Sequence, residues 1–363
     1  MTLMINDIAD VINISVSNPA ESEYDIFVGL EHYDVGEPII TRYGSTKMLT
    51  TACKKFSAGD ILLARRNVYL RRAGLVKFDG LTSGDSIVIR IKPNLSIEGV
   101  NSQEISRLLP FVLNTNAFWD FANTNSDGTM SKRLSPQMLL SYEFNLPPYS
   151  NQKPLADKLW AAYSLKASKL KLIDAIDEMV KSQFIEMLKG KAINGTISDL
   201  VAPKIANVKK TYSPDDTIQY IDISSINAED HSVSQVTEYS VKNAPSRAQQ
   251  CVKYGDLLVS TVRPINRNIA IVDKDLDNLV ASTGFCVLRP NDGMLNYLLS
   301  IVLSDDFTNA MCDKANGGVY PAVNNGDVLN YQIHIPDDDL AKRASLVRQQ
   351  ADKSKQIAFS RAS

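Results

Sequence analysis

The sequence predicts an α+β protein built from two similar mixed α/β domains, each followed by a helix. Three observations lead to this prediction. At 363 residues the chain is longer than one ordinary domain. The same series of short apolar strand patterns and turn signals occurs twice in the same order. Between the two copies, the stretch from 155 to 189 contains no glycine or proline, as one uninterrupted long helix requires.

The repeated patterns define the two domains as residues 1–148 and 191–336. The shared features are an Ile-rich start (5–11 and 197–201), a short alternating strand (24–30 and 218–226), a Gly-Asp turn before an aliphatic run (59–64 and 255–260), a Ser/Thr-Gly turn before a second apolar strand (82–91 and 282–288), a helical segment (103–121 and 295–312), a glycine-containing loop (127–132 and 316–320) and a closing strand that ends in proline (142–147 and 331–336). Several matches in one order indicate an internal duplication.

The segment 149–190 is predicted to be a long spacer helix, because its apolar residues recur at steps of three and four. About 38 helical residues would span roughly 57 Å, too long for a lone helix to be stable without a partner for its apolar face. A shorter helix is predicted at 337–363, and we expect the two to pair as an antiparallel coiled coil. The residues expected to face the partner helix or a partner subunit are Leu170, Ile173, Val180, Phe184, Leu340 and Val347. Because the second helix is shorter, we expect the end of the first, near 184–188, to be exposed or covered by another chain.

The composition excludes several classes of protein. The chain is 44% hydrophobic and 22% charged with a net charge of -2, which is typical of a soluble protein and gives no global argument for nucleic-acid binding. Neither a transmembrane run nor a signal peptide is recognisable, and four separated cysteines are typical of reduced thiols, so a cytoplasmic protein is expected.

Motifs for catalysis or metal binding are not found in the sequence. The three histidines are dispersed, and the sequence matches no phosphate-binding, dinucleotide-binding or nucleophile-elbow motif. The stretch 145–149 (NLPPY) resembles the N-P-P-Y motif of amino-methyltransferases, but the inserted leucine displaces the amide. We therefore expect no metal, no cofactor and no enzymatic activity of its own.

Two clusters of basic and amide residues follow the two Gly-Asp strands and predict contacts to DNA. Arginine can bind guanine or phosphate, and asparagine can pair with adenine, although a solvated loop would have a similar composition. In the first domain the candidates are Arg65, Arg66, Asn67, Tyr69, Arg71, Arg72 and, in the glycine-containing loop, Lys132. In the second domain they are Arg247, Arg263, Asn266, Arg267, Asn268 and Tyr320.

The second half resembles the central motif of type I restriction-modification specificity subunits. The resemblance lies in Pro245–Ala248 followed by Val252–Pro264, and it extends to Ser282–Phe285 and to the alternation of two domains with two helices. In the first half, Ser45–Lys47 stands where the second has Ser246–Ala248.

The resemblance implies that each domain reads one half of a split target in double-stranded DNA and that the helices set the spacing. It implies two DNA adenine methyltransferase subunits as partners, which would hold the S-adenosylmethionine, and possibly restriction subunits. The alternatives are the specificity chain of a fused methyltransferase-nuclease system (type IIB-like) and a scaffold or anti-restriction protein that does not read DNA.

Overall fold

The computed structural model describes residues 1–128, 131–228, 230–318 and 321–360 of the chain. The chain folds into two compact units, Met1–Lys166 and Ala167–Ser363, and the boundary between them falls inside the long helix Tyr149–Leu188. Each unit contains mostly antiparallel strands with helices, so the predicted α+β class with two domains is confirmed at this level.

The first unit contains eleven of the described strands and most of the early helices. The strands are β1 Thr2–Met4, β2 Ala9–Ile12, β3 Ser15–Val16, β4 Ile26–Val28, β5 Gly44–Ser45, β6 Cys53–Phe56, β7 Ile61–Ala64, β8 Ala73–Leu75, β9 Gly80–Thr82, β10 Ser86–Ile91 and β11 Glu143–Asn145. The helices are α1 Ile5–Ile8, α2 Ser102–Val112, α3 Asn116–Thr124, α4 Pro136–Leu140 and α5 Tyr149–Leu188, which continues into the second unit.

The aliphatic strand after the first Gly-Asp turn lies in the middle of this unit. It belongs to a four-stranded sheet ordered β2-β10-β7-β8, beside a five-stranded sheet ordered β3-β6-β9-β4-β5. Successive side chains of a strand face opposite ways. Ile61 and Leu63 therefore join the cluster formed with the helices, whereas Leu62 and Ala64 join a second cluster with Phe56 of the other sheet. Burial on both faces explains why the run is continuously apolar rather than alternating.

The second unit repeats this plan. Its strands are β12 Gly195–Thr196, β13 Thr217–Ile221, β14 Ile226–Asn227, β15 Ser232–Val233, β16 Thr237–Ser240, β17 Ala248–Cys251, β18 Leu257–Ser260, β19 Ile269–Ile271, β20 Leu279–Ser282, β21 Phe285–Leu288 and β22 Gln332–Ile333. Its helices are α6 Val208–Thr211, α7 Leu295–Val302, α8 Asp305–Lys314, α9 Asn325–Leu329 and α10 Asp338–Ser360. Leu257 and Val259 face the helices, and Leu258 faces the other sheet.

Strand pairing shows that the two units have equivalent elements. The central strand β7 pairs with β8 and β10, and β18 pairs in the same antiparallel way with β19 and β21. In each unit the first and last strands pair with one another, β1 with β11 and β12 with β22. Each predicted helical segment, 103–121 and 295–312, is two short helices rather than one, because a Thr or Ser cap at Thr115 or Ser304 starts a new helix.

Within the second unit, the end of α5 packs against α10. Ile176 and Val180 share a hydrophobic cluster with Val347 and Ala351. The side chain of Asp177 accepts a hydrogen bond from Lys355 Nζ. As the residue numbers rise along α5 they fall along α10, so this part of the pair is antiparallel.

The expectation that residues near 184–188 would be exposed is wrong for Phe184. This ring is only 6% exposed, and it packs edge-on against Tyr297 of α7 with the ring centroids 5.4 Å apart. In an antiparallel pair the start of the second helix lies beside the end of the first, so a short second helix does not extend to the other end of the first helix, whose opening turns are instead buried in the first unit around Ala156. Leu170 and Leu172 toward that end are 49% and 51% exposed.

Among the described residues, no helix is both long enough and apolar enough to cross a membrane.

Candidate nucleic-acid interface

The basic residues after the two central strands lie on two loops of the same shape. In the first unit, a single 3-10 turn, Val68–Leu70, is bracketed by Asn67 and Arg71, whose φ angles are 54° and 51°. In the second unit, the turn Pro264–Asn266 is bracketed by Arg263 and Arg267, both with φ of 49°. Left-handed φ is uncommon for residues other than glycine, and arginine has no local preference for it. The shape is therefore imposed by the surroundings of each loop.

Backbone hydrogen bonds fix the start of each loop to the glycine-containing loop of the same unit. In the first unit, Asn67 N–H donates to Lys132 O (2.7 Å) and Leu134 N–H donates to Arg65 O (2.9 Å). In the second unit, Arg263 N–H donates to Pro321 O (2.8 Å) and Val323 N–H to Thr261 O (2.9 Å). Two loops that are distant in sequence are thus brought together in each domain.

The far end of each loop is tied to the start of a helix by an arginine. Arg71 Nη1 donates to Asn116 Oδ1 at 2.7 Å, at the first residue of α3. At the equivalent place, Arg267 forms an ion pair with Asp305 at the first residue of α8, and this bond lowers the pKa of the Asp305 carboxyl. Two of the predicted DNA-contacting arginines therefore also hold the loops in place.

In the first unit, two arginine side chains form ion pairs with one carboxylate, Asp85, and Lys54 lies close enough to interact electrostatically with both Asp85 and Arg65. Arg66 Nη1 and Arg133 Nη2 lie 3.6 Å and 3.4 Å from its oxygens, and both arginine side chains remain about half exposed at 46% and 49%. Arg65 donates its backbone N–H to Asp85 O at 2.9 Å. Burial, together with the nearby Arg65 guanidinium, lowers the pKa of Lys54. Loose, exposed ion pairs of this kind contribute about 0–1 kcal/mol, so these arginines can turn to a phosphate at little cost.

In the second unit, Arg247 and Arg263 are both exposed at the same end of the sheets. Thr283 N–H donates to Arg247 O at 2.9 Å, and the next residue, Gly284, accepts two bonds from Thr261, at 2.9 Å and 3.0 Å. Arg263 lies two residues after Thr261 in the sequence. The Ser282–Gly284 turn thus links the two arginines, which have fifteen residues between them in the sequence.

Strand pairing corrects the alignment of the two halves at Ser45–Lys47. The strand β17 that follows Arg247 pairs with β20, and in the first unit the strand that pairs with the equivalent β9 is β6, Cys53–Phe56. The first-domain counterpart of the Arg247 segment is therefore at Cys53 and Lys54. The loop before β6 differs from the loop before β17, and a match by similarity of residue types therefore missed the equivalence of the two segments. Lys54 and Arg133 are cationic residues of this end of the domain that were not predicted.

The remaining predicted residues have distinct positions. Arg72 donates from Nη1 to Leu30 O (2.9 Å) and from Nη2 to Arg66 O (3.2 Å), so it supports the loop from within. Lys132 Nζ donates to Asn123 O at 3.0 Å. The backbone oxygen of Asn268 accepts from Ser260. Tyr320 lies outside the described residues.

The tips of the two loops each carry an exposed predicted residue. Tyr69 is 57% exposed at the middle of the first turn, and Asn266 is exposed in the second. The residue equivalent to Tyr69 is Ile265, which is 65% exposed and was not among the predicted contacts. Ile265 was missed because the candidates were chosen as side chains that can form hydrogen bonds to DNA, and an apolar side chain cannot.

At the opposite end of each central strand, the Gly-Asp turn contains a buried carboxylate bound by arginine. Asp60 accepts from Arg90 at 2.6 Å and 2.7 Å, and Asp256 accepts from Arg289 at 2.7 Å and 2.8 Å. Each carboxylate also accepts a backbone N–H of its own turn, from Ser57 or Lys253. These duplicated pairs fix the base of the strands from which the loops project.

The exposed arginines around the two loops can bind a polyanion. Within the described ranges, no group of three or more His, Cys, Asp or Glu residues could hold a metal ion. The amide oxygen of Asn145 accepts a hydrogen bond from the hydroxyl of Thr2, within the β1-β11 pair. This contact gives the Asn145 side chain of the NLPPY stretch a structural role in pairing the two strands.

Comparisons with known proteins agree with the resemblance seen in the sequence. No protein-family model matches the chain. A 108-residue segment is 32% identical to the Type I restriction enzyme HindI specificity subunit of Haemophilus influenzae, and the match spans 29% of this chain and about a quarter (24%) of the relative.

Two solved structures share the fold over the whole chain. One comes from work on complex assembly and conformational transition of the type I R-M system; it has a TM-score of 0.51 at 14% identity and covers 100% of this chain and 93% of that one. The other is the type I restriction-modification S subunit from M. genitalium, with a TM-score of 0.50 at 12% identity, covering 99% of this chain and 92% of that one. The chain therefore has the fold of the type I restriction-modification specificity subunits, and in one segment it is also similar to such a subunit in sequence.

Proposed function

We propose that this chain is the DNA-specificity subunit of a type I restriction-modification complex and that each of its two domains reads one half of a split target. The observation that carries the proposal is the duplicated loop with its cations. Two loops of similar backbone shape occur at equivalent places, and each is surrounded by arginines from several segments of its own domain. A charged surface built twice is what recognition of two half-sites requires.

The cations sit on an otherwise near-neutral chain, with a net charge of -2. Local clustering therefore matters more than total charge. In the first unit Arg66 and Arg133 form ion pairs with the carboxylate of Asp85, and the charges of Lys54 and Arg65 lie close by. A protein that mimics DNA would need carboxylates at this place. This contrast favours a DNA reader over an anti-restriction protein or a silent scaffold.

The two long helices act as the spacer between the half-sites in this proposal. Pairing of Ile176 and Val180 with Val347 and Ala351 supports an antiparallel coiled coil over the part in the second unit. The exposed leucines at 165, 170 and 172 are then available to a partner subunit. Exposed leucines are unfavourable in an isolated long helix, because the stability of such a helix depends on covering its apolar face.

The proposed partners are two DNA adenine methyltransferase subunits, which bind the S-adenosylmethionine, and restriction subunits that join them. This chain contributes recognition and positioning and has no cofactor of its own in the proposal. A specificity chain for a fused methyltransferase-nuclease system, of the type IIB-like kind, would use the same surfaces and is the second candidate.

The proposal is tested by mapping methylated adenines in DNA from cells that express this chain with its methyltransferase. Methylation at a split motif is expected, and replacing Arg263 and Arg247 by alanine should relax or abolish recognition of one half-site while sparing the other. The matched pair in the first domain is Arg66 and Arg133, whose replacement should affect the other half-site.

Two lysines at the opposite end of the same strands provide the control. Lys77 follows β8 and Lys253 precedes β18, so both lie at the Gly-Asp end rather than the loop end. Their alanine variants should leave the motif unchanged. Methylation that does not depend on the chain, or arginine variants that behave like the lysine variants, would refute the proposal.

A further inference from the structure

We infer that the tip of the second loop reads an A·T base pair through two neighbouring residues, with Ile265 contacting the thymine methyl group and Asn266 pairing with adenine. The inference deepens the proposed function and depends on it. It assigns a specific part of recognition to Ile265, which no charge or polarity argument would select.

The first observation is the exposure of Ile265. It is 65% exposed at the middle of the turn, although an isoleucine at a loop tip contributes nothing to the core of its own domain. The equivalent residue in the first unit, Tyr69, is also a large side chain and is 57% exposed. Single exposed hydrophobic residues are ordinary on protein surfaces. Two at equivalent places, on loops surrounded by arginines, indicate a shared purpose.

The second observation is that the tip is held rigidly. Asn266 N–H donates to Arg263 O (2.9 Å) and Arg267 N–H to Pro264 O (3.0 Å), which closes the turn. The Arg267 side chain is fixed on Asp305, and Arg263 N–H is fixed on Pro321 O. A contact residue on a preorganised turn loses little conformational freedom on binding, so its contact contributes more of its energy to affinity.

The chemistry of the two tip side chains then limits what they can recognise. An aliphatic side chain neither donates nor accepts hydrogen bonds, and the one apolar group that a base edge presents in the major groove is the 5-methyl of thymine. The exposed asparagine beside it has the donor and acceptor needed for adenine N7 and N6. Exposed arginines on the flanks, Arg247 and Arg263, are suited to the phosphates on either side.

The test replaces each thymine of the half-site read by the second domain, one at a time, with deoxyuridine, which removes only the methyl group. Binding of the assembled chain-methyltransferase complex is measured by fluorescence anisotropy at constant salt. We expect one substitution to weaken binding about fourfold, the contribution of one buried methyl group. The Ile265→Ala complex should bind thymine-containing DNA with similarly reduced affinity and should no longer respond to that substitution.

The matched control is Ile193→Ala, because Ile193 has the same side chain, is 64% exposed and lies in the connection between α5 and β12, outside the Pro264–Asn266 turn. Its complex should keep the wild-type response to deoxyuridine. The inference is overturned if no single deoxyuridine weakens binding by the wild-type complex, or if Ile265→Ala keeps the full response. If Arg247→Ala and Arg263→Ala also bind DNA like the wild type, the proposed function fails as well; if these two weaken binding while Ile265→Ala does not, only this inference fails.

Discussion

Replacing Arg289 with methionine should destabilise the second unit by about 3 kcal/mol. The change removes two hydrogen bonds, of 2.8 Å and 2.7 Å, to a carboxylate on Asp256 that is only 1% exposed. The carboxylate keeps a single backbone donor, the Lys253 N–H at 2.9 Å. Removing one partner of a buried ion pair costs about 3–5 kcal/mol. We take the low end because the Arg289 side chain is 23% exposed, so water can approach the remaining charge.

The matched variant in the first unit is Arg90→Met, which breaks the equivalent pair with Asp60. Arg90 is more exposed, at 39%, so solvent screens this pair more strongly and we expect a smaller loss of about 2 kcal/mol. Urea unfolding can separate the two effects, since both tryptophans, Trp119 and Trp160, lie in the first unit. Tryptophan fluorescence should follow the first unit, whereas far-UV circular dichroism follows both.

For Arg289→Met, the circular dichroism transition should move to lower urea while the fluorescence transition stays in place. The double variant Asp256→Asn with Arg289→Met should recover part of the stability, because the neutral amide still accepts from Lys253 N–H without a buried charge. A loss below about 1 kcal/mol for Arg289→Met would refute the reasoning. So would a fluorescence transition that moves as far as the circular dichroism transition.

Three further outcomes are expected from single substitutions. The Arg263→Gly variant should be more stable than Arg263→Ala by about 1 kcal/mol in thermal unfolding, because φ at this position is 49° and glycine adopts such an angle without strain. Both variants should weaken DNA binding equally. Equal stability of the two variants would show that the backbone is not strained. Val180→Ala should lower the stability of the second unit in urea by about 2 kcal/mol, because Val180 is buried. Leu170→Ala, at a site that is 49% exposed, should change this stability by under about 0.5 kcal/mol. It should instead weaken co-purification of the chain with the methyltransferase. Burial lowers the pKa of His231 below 6.5, so the folded protein disfavours the charged form of this side chain. The stability of the fold is therefore full above pH 6.5 and falls as the pH drops toward the folded pKa. In His231→Asn the melting temperature should depend less on pH between about pH 7 and 5.

Local patterns were enough to predict the framework of each domain. The Gly-Asp turns at 59–60 and 255–256, followed by runs of aliphatic residues, predicted buried strands, and these strands are the centre of each unit. The duplication could be read because turn residues and strand patterns recur in order, and the long helix because nothing interrupts its periodicity. Such signals depend on neighbours in sequence, which a single chain displays directly.

The features that were missed depend on residues brought together by folding. Asp60 and Arg90 are thirty residues apart, and only the lateral pairing of β7 with β10 brings them into contact. The left-handed φ angles of Arg263 and Arg267 could not be predicted, since arginine gives no sign of a conformation that its surroundings impose. The covering of Phe184 by Tyr297 could not be predicted either, because it depends on the antiparallel order that places the start of α10 and α7 beside the end of α5.

The left-handed residues that bracket each turn also divide the loops into a frame and a variable tip. The frame consists of 67, 71, 263 and 267, which set the backbone path and tie it to a helix or to a neighbouring loop. Val68 at the start of the first tip is buried in the domain core, but the exposed side chains of the two tips take little part in that frame. A combinatorial library restricted to the exposed tip residues 69, 70, 265 and 266 would therefore sample new target preferences while preserving the scaffold. Libraries that also vary the four frame positions should consist largely of proteins that have lost the loop shape.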